Sequence, residues 1–150
     1  MTRSNRTLTQ FAADKLAEFV NNQWTGPVTQ SKGNTTVKVF TPKDKSSSSV
    51  FQVFLFNESI FELDQTHLII RNGGFFDSKG RPSRTTRERI NGLLDAVGEL
   101  KVIPQGTRMF LGNNGQKDTC FIGNSSRSAV LDSQCPDRII VRDSKQLLVF

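Results

Sequence analysis

The sequence predicts an α+β fold: a largely antiparallel sheet with two helices, at about residues 7–23 and 86–97. Three observations carry this. Two stretches repeat apolar residues at helical spacing, the intervening segments are short and β-prone, and the connections between neighbouring β segments are shorter than the dozen or so residues a parallel crossover needs.

The first helix is expected from Thr7 to Gln23. Thr7 and Gln10 have capping-box spacing, and Leu8, Phe11, Ala12, Leu16, Phe19 and Val20 share one broad face, with Asp14, Lys15 and Asn21 off it. Gly26 and Pro27 end it, and Trp24 reads as a plug for the core. From Thr35 the period changes to two: Val37 and Val39 point one way, Lys38 and Phe40 the other. Pro42 to Ser49 is a polar loop with four serines in a row, in which Lys43 and Lys45 are candidates to extend a basic patch. Val50 to Phe56 is nearly all apolar, which suits a strand covered on both faces. Asn57 to Ser59 turns or kinks the chain before Ile60 to Leu63, and Leu68 to Arg71 follows, closed by Asn72-Gly73-Gly74.

The second helix has the clearest signature. Thr85 and Glu88 form a capping box, Ile90, Leu93, Leu94 and Val97 stand at i, i+3, i+4 and i+7, and Gly98 is placed to end the helix. Gly92 leaves a bare spot on the polar side where a partner or loop can approach closely. Beyond Lys101 the pattern is β again. Thr107 to Leu111 and Thr119 to Ile122 flank Gly112-Asn113-Asn114-Gly115, a hairpin signal, and Ile139 to Val141 with Leu147 to Phe150 predict a second hairpin.

One hundred and fifty residues are expected to form a single domain, 1–150. One His and two Cys, His67, Cys120 and Cys135, exclude sites that need several such ligands, so no cofactor or metal is expected. The two thiols read as free. There is no long apolar run and no apolar segment after the basic N-terminus, so no membrane association is expected and a cytoplasmic location is. Glu58, Glu62 and Asp64 form an acidic cluster that strand alternation would place on one side, a weak basis for Mg²⁺ chemistry.

Charge is unevenly spread. The net charge is +6, and Arg71 to Arg89 holds six basic residues against two acidic ones. That stretch is a loop entering a helix N-terminus, where unpaired N–H groups and the dipole favour anions and Arg offers bidentate donors. Arg71, Lys79, Arg81, Arg84, Arg87 and Arg89, with the hydroxyls of Thr85 and Thr86, are therefore the candidate phosphate or nucleic-acid site. Phe75 and Phe76 are candidate stacking platforms for bases. Arg3 and Arg6 are candidates to extend the patch.

Gly73, Gly74, Thr85, Thr86, Arg89, Asn91 and Leu94 give a Gly-Gly…Thr-Thr-x-x-Arg-x-Asn-x-x-Leu pattern that resembles small bacteriophage accessory proteins of uncharacterised activity. The chain departs from that pattern by an insertion from Asp77 to Arg84 and by Phe75, where Trp is common. The resemblance implies a phage-encoded accessory protein, working in the host cytoplasm. Together with the basic stretch it predicts a non-enzymatic binder of nucleic acid or phosphate groups. The alternatives are an inhibitor of a host protein or defence system, by protein binding or nucleotide sequestration, and a minor virion component.

Overall fold

A computed structural model describes residues 3–41, 49–64, 67–71, 73–79 and 81–97, and the backbone of 101–105, 108–113, 116–122 and 138–143. Among the described residues, two helices, α1 (Arg3–Val20) and α2 (Arg84–Ala96), accompany nine strands: β1 (Thr29–Lys32), β2 (Thr35–Phe40), β3 (Val50–Leu55), β4 (Glu58–Leu63), β5 (His67–Arg71), β6 (Lys101–Gln105), β7 (Arg108–Asn113), β8 (Gln116–Ile122) and β9 (Arg138–Asp143). The fold is α+β, as expected. A six-stranded antiparallel sheet has the order β1-β2-β3-β4-β5-β9, and β6-β7-β8 form a second sheet of three strands.

Strand alternation sorts the large sheet into two faces. Val37, Phe51, Val53, Leu55, Phe61, Leu63, Leu68 and Ile70 are buried against Ala12, Leu16 and Phe19 of α1 and Ile90, Leu93 and Leu94 of α2, in one core cluster. Phe51 is its hub, stacked on Phe19 at 5.5 Å and meeting Phe61 and Trp24 edge-on. The other face carries Thr36, Lys38, Phe40, Gln52, Phe54 and Glu62, none of them buried. The strand from Val50 is thus covered on one face only, a correction to the expectation of two: its residues alternate half-buried and buried because both helices lie on the same side.

Other differences have local causes. β1, with sequence TQSK, escapes notice because it has no apolar residue; a two-residue turn with Gly33 at φ +56° folds it back on β2. Helix α1 begins earlier than its capping-box spacing suggests and ends at Val20. Helix α2 begins at Arg84 because Ser83, not Thr85, is the cap: the Ser83 hydroxyl accepts from the Thr86 N–H at 3.2 Å. Gly92 faces α1 rather than a partner or loop, since a Cβ there would lie 2.3 Å from Thr9 Cγ2. The β7–β8 hairpin is present, with Asn113 opposite Gln116. Gly98, Lys43, Lys45, Cys135 and Leu147 to Phe150 lie outside the described residues.

A bulge between Val53 and Phe54 slips the β3–β4 register by one residue, so Ile60 and Phe61, consecutive in sequence, are both buried. The slip also separates the acidic cluster. Glu58 pairs opposite the inward Leu55, whereas Glu62 pairs opposite the outward Gln52. Among the described residues no group of three or more His, Cys, Asp or Glu is placed to hold a metal ion.

Candidate functional site

The Arg-rich stretch folds into a closed loop before α2. Phe76 bridges to Pro82, and the Ser83 N–H donates to the Phe75 carbonyl at 2.8 Å. At its centre is a carboxylate. Asp77 accepts from the Lys79 and Arg81 backbone N–H groups at 2.9 and 3.0 Å, from Arg81 Nε at 2.9 Å and from Arg87 Nη1 at 3.0 Å. Burial pushes this carboxyl up, but the four donors outweigh it and hold its pKa down at about 2. The donors of the loop converge on an anion of the protein's own, the Asp77 carboxylate.

The remaining predicted residues separate. Arg89 is withdrawn from the anion-binding set: it is fully buried, donating to Thr9 Oγ1 at 3.0 Å, to Thr35 Oγ1, to Asn5 Oδ1 and to Asn34 Oδ1 at 3.4 Å. Burial lowers its pKa to about 10, partly countered by the neighbouring Glu88, and it remains a cation at neutral pH. Arg84 is exposed and ion-paired with Glu88 at 2.8 Å. Thr86 is buried, with its hydroxyl 2.9 Å from the Ser83 hydroxyl, and Thr85 is half-buried. Lys79 is exposed. Arg71 lies on the opposite side of the sheet from α2, 3.8 Å from Glu62 and donating to Ser59 at 3.5 Å. Arg6 is exposed on α1.

Phe75 and Phe76 divide as well. Phe76 is half-buried in its bridge, while Phe75 is exposed and packs on Phe56 with ring centroids 5.1 Å apart. Phe56 occupies the β3–β4 turn at φ +53°, followed by Asn57 at φ +76°, a conformation unfavourable for a bulky side chain. The Gly73-Gly74 turn passes beside it. Both glycines have positive φ, and a Cβ on Gly73 would come within 2.9 Å of Ile60 Cγ2.

The outer face of the sheet forms a second site. Phe40 is 60% exposed, and Lys38 Nζ lies 4.9 Å from the centroid of the Phe54 ring. Gln52 Nε2 donates to Glu62 Oε1 at 2.7 Å. A cleft of about 500 Å³ opens here, lined among others by Val28, Lys38, Phe40, Val50, Gln52 and Glu62. Its signal was present in the two-residue alternation that turned Lys38 and Phe40 away from Val37 and Val39. It was obscured because the next strand reads as apolar on both sides.

A model of the Kyanoviridae Gp96 protein family matches residues 12–127, from within α1 through β8. The chain belongs to this family. As a Kyanoviridae Gp96 protein it is a phage-family protein, which agrees with the origin implied by the resemblance in its sequence. The family match includes both the Asp77 loop and the outer face of β2 to β5. No curated protein and no solved structure matches the chain significantly. Among the described residues, no helix of this Gp96 protein is long and apolar enough to cross a membrane.

Proposed function

We propose that this protein is a non-enzymatic phage accessory factor that binds single-stranded nucleic acid in the host cytoplasm, on the face of the six-stranded sheet turned away from the helices. The observation that carries the reading is the solvent-facing Phe40 beside the Lys38–Phe54 pair. A base can stack on the Phe40 ring, because every base has a π-face, while Lys38 and Arg71 on the same face attract the phosphates. The net charge of +6 favours the same class of ligand. The Arg-rich loop then serves the fold, since Asp77 satisfies two of its guanidiniums.

Fluorescence anisotropy with a labelled twelve-nucleotide oligothymidylate tests this. Binding at low salt that weakens linearly on a log–log salt axis, and weakens further in Lys38→Ala, is the expected result. No binding at low salt, or an affinity indifferent to salt, overturns it.

The exposed Phe56–Phe75 pair favours a second reading, in which the protein inhibits a host protein by inserting these rings into an apolar pocket. Co-purification of a host protein lost in Phe56→Ala and Phe75→Ala, together with no oligonucleotide binding, would replace the first reading with this one.

A further inference from the structure

The cleft beside Phe40 has a chemically distinct floor. Lys38, Gln52 and Glu62 are cross-strand neighbours in one row of β2, β3 and β4, and Phe40 stands two residues along β2, a step of about 7 Å. A base stacked on Phe40 therefore turns an edge toward that row. The edge meets the Glu62 carboxylate, with the Lys38 ammonium and the Gln52 amide beside it. Gln52 donates one of its two amide N–H groups to Glu62 Oε1, which fixes the carboxylate. Arg71 Nη2 forms an ion pair with Glu62 Oε2 at 3.8 Å, longer than a hydrogen bond, so that oxygen can still accept from a ligand.

We infer that this cleft is a base-selective subsite and that the base it takes is guanine. The inference rests on the single-strand reading above and adds the determinant of specificity. Guanine alone among the common bases presents two adjacent donors, N1–H and the N2 amino group, on one edge, and a carboxylate accepts such a pair side by side. Thymine and uracil offer one N–H between two carbonyl oxygens, one of which would face the acceptor-only Glu62 carboxylate. Adenine and cytosine set a ring acceptor beside their single amino group. The cleft's volume of about 500 Å³ lies within the range of small-ligand sites, roughly 300–1,000 Å³. Val28 and Val50 supply apolar walls and Phe40 the stacking ring.

The test compares three single strands of equal length on the full chain: oligothymidylate, the same strand with four spaced deoxyguanosines, and the same strand with deoxyinosine at those four places. Inosine keeps N1–H and lacks the amino group. Guanine is expected to bind about tenfold more tightly than thymine, with inosine between them, and Glu62→Gln should bring the guanine-to-thymine affinity ratio, measured within that variant, close to one. Equal affinity for guanine and inosine strands overturns the inference yet leaves the single-strand reading standing. A guanine preference that survives in Glu62→Gln overturns the assignment to this carboxylate. Binding to none of the three strands at low salt overturns the single-strand reading and the subsite with it.

Discussion

Arg87 Nη1 lies 3.0 Å from Asp77 Oδ2, ten positions away, and closes the loop that leads into α2. Arg81 reaches the same carboxylate oxygen at 2.9 Å. Two guanidiniums that look available in the sequence are thus held at half-buried positions by one carboxylate. The charge of the stretch is real, but much of it is matched locally.

The titration of Asp77 follows. Its pKa is held at about 2 against an ordinary 3.8, so the carboxylate's stabilisation is fully present above 3.8 and is lost as the pH falls through 2. Asp77→Asn should lower stability at neutral pH by about 1–2 kcal/mol, a figure limited by partial solvent exposure. The gap between wild type and variant should close as the pH drops from 4 toward 2, read by urea denaturation at each pH. A gap that stays constant over that window would show that the ion pairs contribute nothing.

Removing the internal anion should also open the cradle to an external one. In Asp77→Ala the Arg81 and Arg87 guanidiniums and two backbone N–H groups lose their acceptor, leaving a built anion site. Inorganic phosphate should raise the melting temperature of Asp77→Ala more than that of the wild type at matched ionic strength. Equal shifts would mean that the loop collapses without its carboxylate.

Arg89 ties three elements together, reaching Asn5 and Thr9 on α1 and Thr35 at the start of β2 from its place on α2. Arg89→Ala should destabilise by about 3–5 kcal/mol, because it strands buried hydroxyl and amide partners as well as removing a packed side chain. Arg89→Lys keeps the charge but not the fork of donors, and should recover less than half of that loss. A denaturation midpoint for Arg89→Ala close to wild type would contradict the buried network.

Both this network and the Asp77 cradle bear on what the sequence could reveal. Helical spacing of Leu16, Phe19, Ile90, Leu93 and Leu94 identified the core faces because periodicity depends on neighbours along one element. Alternation in β2 was legible for the same reason. What stayed hidden depends on residues far apart in the chain: Arg89 and Thr35 are 54 positions apart, and an Arg drawn inward by hydroxyls on other elements looks like any surface Arg. The bulge that separates Glu58 from Glu62 has no composition signal either, because both registers place apolar residues inward. The open outer face follows from which side the two helices choose, a tertiary fact that no single strand encodes.

The contact between α1 and α2 at Gly92 gives a sharper packing test. A Cβ at position 92 would lie 2.3 Å from Thr9 Cγ2, and Thr9 cannot simply rotate away, because its hydroxyl holds Arg89 Nε at 3.0 Å. Gly92→Ala gains about 1 kcal/mol of helix propensity, yet the overlap should cost roughly 1–3 kcal/mol and leave the variant less stable than wild type. Thr9→Ser removes the offending methyl and keeps the hydroxyl. The double variant should therefore recover most of the loss, a coupling that a thermodynamic cycle measures directly. Additive single effects would mean that the helices separate rather than clash.

The two exposed aromatic sites separate the functional readings by mutation alone. Phe40 is 60% and Phe56 54% exposed, so truncating either should change stability little. Phe56→Ala also relieves a bulky side chain at φ +53°, which offsets the lost contact with Phe75, worth about 0.5–1.5 kcal/mol. If single strands bind the outer face, Phe40→Ala should weaken oligothymidylate binding by the equivalent of about 1–3 kcal/mol, and Phe56→Ala should leave it unchanged. The opposite pattern, with Phe56 needed and Phe40 dispensable, would move the ligand from the sheet face to the turn beside Gly73 and Gly74.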